Sequence, residues 1–203
     1  MTNDHGSRDG IWHVLEDLYH NAHWTDTIHV TFTLDAPNDS DGVTASIATS
    51  SLHNNNGLGH GKGDEIVVNS AAGGKMFLTS LKDQELHVQE TVEFDSIIDN
   101  PVYFKDPYGD KDGYILAGMP RAFSEFFAGT KDETVKISAL VWKATRTKDG
   151  WEKKILFEED GSRLRGAAAG VVVALEPKNG ERKGWLWVTG PYSENLIAVK
   201  VDF

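Results

Sequence analysis

Short runs of alternating apolar and polar residues dominate the chain. They predict strands over 27–34, 43–49, 65–69, 75–81, 85–94, 113–118, 135–145, 153–158, 166–175, 184–189 and 195–201. β-Branched and aromatic residues fill these runs, as a half-buried pleated surface requires. Turn residues separate them, for example at 35–42, Ala72-Gly73-Gly74, Lys148-Asp149-Gly150 and Pro177-Lys178-Asn179-Gly180. A helical period is confined to two places. Ile11, Leu15, Leu18, Tyr19 and Ala22 recur three and four apart, with Asp9 as N-cap, which predicts a helical insert over 10–24. A second, shorter helix is expected over 120–128, carrying Phe123, Phe126 and Phe127.

The strands fall into a weak repeat. Asn56-Gly57 precedes one group of apolar strands, Asp99-Asn100 a second, and Ala167-Ala168-Ala169-Gly170 a third. The spacing is roughly that of a four-stranded propeller blade. The expected fold is therefore all-β: a partial six-bladed β-propeller of about three blades, one domain over 1–203, with the 10–24 insert as a lid. A β-sandwich explains the strand count equally well, though not the Asn that opens each of the first two units.

Composition narrows the chemistry. Hydrophobic residues make up 39% of the 203, enough for a sizeable core. The net charge of −11 lacks the positive footprint that phosphate backbones need, so nucleic acid is not an expected partner. No cysteine is present, which excludes disulfides, thiolate metal sites and a Cys nucleophile. No run approaches a membrane span, and the first ten residues carry neither a basic nor an apolar signal-peptide region. Localisation is left open.

The candidate chemistry lies in oxygen donors. Asn3, Asp4, Asn56, Asp99 and Asn100 are amides and carboxylates, the ligand types a calcium ion takes from several chain segments. The same residues are also ordinary turn formers. Gly57-Leu58-Gly59-His60-Gly61-Lys62-Gly63 has alternating glycines and a lysine, but it lacks the phosphate-loop spacing, and Asp64-Glu65 follows. It reads as a hairpin loop. Eight histidines are scattered without the paired spacing of a zinc site; His5 stands out because it follows Asn3-Asp4. No G-x-S-x-G elbow is present, which disfavours a serine hydrolase.

Four segments in order resemble the paraoxonase/arylesterase family of calcium-dependent lactonases, in particular its fungal paraoxonase-like branch. They are Thr2-Asn3-Asp4-His5 with the helical stretch after it, Leu52–Gly59 with its Asn56-Gly57, the 96–118 stretch around Asp99-Asn100, and 185–201. The resemblance implies a six-bladed propeller with calcium on its axis. It implies Asn3, Asn56, Asp99 and Asn100 as ligands of a catalytic calcium, Asp4 as a ligand of a structural one, and Met119 and His5 near the substrate pocket. The implied substrate is a small ester or lactone.

The family's acidic calcium ligand and catalytic histidines lie in an N-terminal half that this sequence does not contain. The chain is thus expected to match the C-terminal half only and to be weak or inactive by itself, with no general base assigned. Two alternatives are a non-enzymatic half-propeller that self-associates through exposed blade faces, and a propeller like gluconolactonase or strictosidine synthase.

Overall fold

The computed structural model describes residues 1–3, 26–32, 42–50, 52–120, 132 and 134–203. The helical insert over 10–24, the short helix over 121–128, Asp4 and His5 lie outside the described residues.

Every named element among the described residues is a β-strand. In chain order they are β1 (Thr2–Asn3), β2 (Asp26–Phe32), β3 (Val43–Thr49), β4 (Asn55–His60), β5 (Ile66–Ser70), β6 (Lys75–Lys82), β7 (Glu85–Glu93), β8 (Ile97–Phe104), β9 (Gly113–Met119), β10 (Ala139–Thr147), β11 (Gly150–Glu159), β12 (Ala169–Ala174), β13 (Lys183–Thr189) and β14 (Ile197–Asp202). They form four antiparallel sheets, β1–β3, β4–β7, β8–β11 and β12–β14, each a meander of chain neighbours. The two packed sheets of a sandwich are not this arrangement. The first strands of the four sheets lie side by side in chain order: β1 next to β4, β4 next to β8, and β8 next to β12.

Turn chemistry closes the hairpins. Asp83 and Gln84 both adopt positive φ (52° and 69°) between β6 and β7, the twist that a two-residue hairpin demands. Asn179 and Gly180 do the same at 55° and 79° on the way from β12 to β13, as the sequence predicts.

The core sits between sheets. One cluster joins the second and third sheets through Val67, Met76, Leu78, Ile98, Tyr114 and Leu116. Another joins the third and fourth through Phe104, Ile115, Ala117, Val141, Leu186 and Val188. β9 supplies both: Tyr114 and Leu116 face one way, Ile115 and Ala117 the other. Its run GYILAGM is accordingly buried at every position and does not alternate. Each such side chain contributes roughly 1.5–3 kcal/mol of burial. No helix among the described residues is long and apolar enough to cross a membrane.

Two strands depart from expectation. The Gly57–Gly63 hairpin loop is largely strand β4, and the Asp99-Asn100 turn lies within strand β8. The strand set expected for about three units is organised as four sheets. The reason lies in packing. β4 runs so close to β8 that a Cβ on Gly57 would overlap the Asp99 carbonyl, and one on Gly59 would sit 2.5 Å from the Pro101 carbonyl oxygen. Glycine here marks a close backbone approach between sheets, a use that looks like a loop in the sequence.

Candidate functional site

The two strands that the sequence reads as turns carry the candidate residues. Each contains a β-bulge at the same relative place. In β4, Asn55 pairs with Ser70 and Leu58 with Val68, so Asn56 and Gly57 stand opposite a single residue. In β8, Ile98 pairs with Gly118 and Pro101 with Leu116, so Asp99 and Asn100 do likewise. A bulge re-aims side chains and increases local twist, and such features gather near sites. The bulges touch: Gly57 abuts the backbone of both Asp99 and Asn100.

Hydrogen bonds tie the neighbouring first strands together here. The Thr2 hydroxyl donates to the Asn56 carbonyl. The Asn69 Nδ2 donates to the Asp99 carbonyl at 2.5 Å. The Asn100 backbone N–H and its Nδ2 both donate to the Ala168 carbonyl, each at 3.0 Å. That last pairing orients the Asn100 amide through its Nδ2. Asn3 closes the set at the end of β1, paired with Asp26 and one residue from Thr2.

Met119 ends β9 opposite Ile97, two residues before Asp99. It is buried, and its sulfur lies 3.3 Å from where a Cβ on Gly166 would stand. The Tyr192 ring borders the same glycine. Burial pushes the Tyr192 hydroxyl pKa up, the Arg165 charge opposes this, and the negative charge of Asp99 adds to it. The structure thus brings Asn56, Asp99, Asn100 and Met119 to one end of adjacent strands, with Asn3 beside them. Asp4 and His5 lie outside the described residues.

Sequence reasoning misses three buried polar residues at this end. Asn55, Asn69 and Ser70 are shielded from solvent, and Asn55 Oδ1, Asn69 Oδ1 and Ser70 Oγ have no hydrogen-bond partner among the described residues. Asn55 does donate through Nδ2 to Thr27 Oγ1 at 2.8 Å. A signal was present: Asn and Ser are poor choices for the end of an apolar strand such as Ile66–Ser70 unless polar geometry requires them.

The donor chemistry fits calcium in kind. It is all oxygen, built on amides with Asp99 as a carboxylate, and it includes orphaned buried acceptors. No group of three or more His, Cys, Asp or Glu placed to hold a metal ion occurs among the described residues.

The opposite strand ends hold a groove of about 220 Å³ lined by Lys62, Tyr103, Asp112, Tyr114 and Arg146, among others. Several of its polar groups are paired with one another or with neighbouring glutamates. Tyr103 donates to Asp112 at 2.9 Å and Tyr114 to Glu65, while Arg146 bridges Glu65 at 3.3 Å and Glu90 at 2.9 Å. Desolvation and the Asp112 carboxylate push Tyr103 up to about 12, and desolvation with the hydrogen-bonded Glu65 carboxylate pushes Tyr114 up as well. This groove is a clasp between sheets rather than an open site.

No family model matches the chain, and no curated protein matches it.

Proposed function

We propose that the four meanders are consecutive blades of a β-propeller whose first strands line a central axis. We propose further that the axial bulges bind calcium for hydrolysis of a small lactone or aryl ester, in the manner of the paraoxonase/arylesterase family that the sequence resembles. One observation carries the reading. Two adjacent first strands, each bulged at the same place, bear Asn56 and Asp99-Asn100, the residues the resemblance implies as ligands.

Asn3, Asn56, Asp99 and Asn100 would hold the ion. Bound calcium supplies a Lewis acid for a substrate carbonyl. The chain's own residues do the rest. Amide ligands add no negative charge, which keeps the site electrophilic. The Ala168 carbonyl fixes the Asn100 amide. Met119 and the Tyr192 ring, which meet at Gly166, would supply apolar surface beside the ion.

Calorimetric titration of the purified chain with calcium tests this, with phenyl acetate hydrolysis measured alongside. The expected result is calcium binding that Asn56→Ala and Asn100→Ala each weaken by about tenfold or more. Binding that neither change touches would sink the assignment. Hydrolysis is expected to be slow even with calcium, because no general base is assigned in this chain.

A second reading, an interaction module, is favoured by one surface. Val171 and Val173 on β12 and Trp185 and Trp187 on β13 pair across the last sheet and remain 38–51% exposed. Val43 and Ile47 are exposed on β3 of the first sheet. Contiguous apolar faces of this kind mark association sites. Sedimentation velocity at micromolar concentration checks it: self-association is expected, and Trp187→Lys should reduce it. A well-behaved monomer at that concentration would count against this reading.

A further inference from the structure

Asn69 lies on β5 between Val68, which pairs with Leu58, and Ser70, which pairs with Asn55. It therefore stands opposite Asn56 and Gly57, the bulge of β4. Its Nδ2 reaches the neighbouring sheet and donates at 2.5 Å to the carbonyl of Asp99, inside the bulge of β8. One side chain thus faces one bulge and holds the other.

The residue is fully buried, and its Oδ1 has no hydrogen-bond partner among the described residues. An unpaired buried acceptor costs about 1–3 kcal/mol, and an apolar group of the same shape would avoid that cost. Leucine has nearly that shape. Stability alone does not account for an amide here, whereas a need to fix the Asp99 carbonyl does. The tight seam agrees, since Gly57 abuts Asp99 and Asn100 with no room for a side chain between them.

We propose that Asn69 is a positioning residue that locks the Asn56-Gly57 bulge to the Asp99-Asn100 bulge and so sets the spacing of the side chains they present. Its functional part rests on the calcium reading above; the locking itself does not.

The test uses the full chain with Asn69→Leu and Asn69→Asp. Both keep the branched shape of the side chain, and both remove the amide donor to Asp99. Three quantities are read: calcium affinity by calorimetry, amide hydrogen exchange at Gly57 and Asn100, and terbium luminescence decay in H2O and D2O, which counts waters on a bound ion. A locking role predicts at least about tenfold weaker calcium binding in both variants, as is usual for residues that orient ligands. It also predicts faster exchange at Asn100 and more water on bound terbium. Tighter binding in Asn69→Asp would mean a direct ligand and would overturn the positioning role. Lower thermal stability with unchanged affinity and exchange would mean a merely structural residue and would also overturn it. If the wild-type chain binds no calcium, the calcium reading fails, and exchange at Asn100 still decides the locking. Should Asn69→Leu fail to fold, Asn69→Asp carries the same readouts.

Discussion

Lys143 illustrates how one residue can set a pH response. It points from β10 into the seam between the third and fourth sheets and is only 4% exposed. Its ammonium stands 5.6 Å from the Phe104 ring centre and 5.0 Å from that of Phe203, a cation–π arrangement. The nearby buried carboxylate, Asp106, is already bound by Arg182 at 3.3 Å. Burial above all, with Lys111 adding, lowers the Lys143 pKa from 10.5 to about 8. The folded lysine thus releases its proton before the unfolded one does. Below about pH 8 both states are charged, and the folded state bears the full cost of burying that charge. As pH rises from about 8 towards 10.5, the cost disappears. Lys143→Met should therefore raise stability at pH 7, by about 1–3 kcal/mol on the size of the shift. Denaturant unfolding at several pH values should show that gain closing by pH 10.5. An equal gain at both ends would contradict the charge-burial cause.

The bulged first strands are where sequence and structure part company, and the reason lies in how strands use glycine. The strands over β5, β6, β9 and β13 are legible because their apolar residues pack against neighbouring sheets. β4 and β8 instead meet a neighbour's backbone, so they select Gly57, Gly59, Asn100 and Pro101, residues that ordinarily signal turns. A pattern reading singles out Asn56 and Asp99-Asn100 but not their strands. Asn69 shows in the sequence only as an amide near the end of an apolar strand, and its partner, a carbonyl on another sheet, does not show there at all. Gly57→Ala tests the element directly. The added Cβ meets backbone that no rotamer change can move aside, so it should cost about 1–3 kcal/mol as overpacking does. Thermal melts should show the loss, and the calcium response should shrink with it. A variant as stable as the wild type would mean the seam is looser than the structure shows.

The whole molecule is a row of local meanders joined at their first strands. Within a sheet, hairpins bring chain neighbours together, as in the Asp83–Gln84 and Asn179–Gly180 turns. Between sheets, contacts link residues far apart in sequence, such as Asn100 with Ala168 and Arg146 with Glu65. Loop closure makes distant contacts slower to form than local ones. The polar end of the first strands draws on separate sheets, and so has no local precursor. This has a kinetic consequence. The sheets should take shape early in refolding, and the junction of the two bulges should close last. Stopped-flow refolding would show the far-ultraviolet strand signal developing before any binding of terbium. Simultaneous appearance would mean that the sheets and the junction form in one step. A chain that assembles in this order cannot display its polar junction while it is half-folded, so on the proposed reading ion binding would report that assembly is complete.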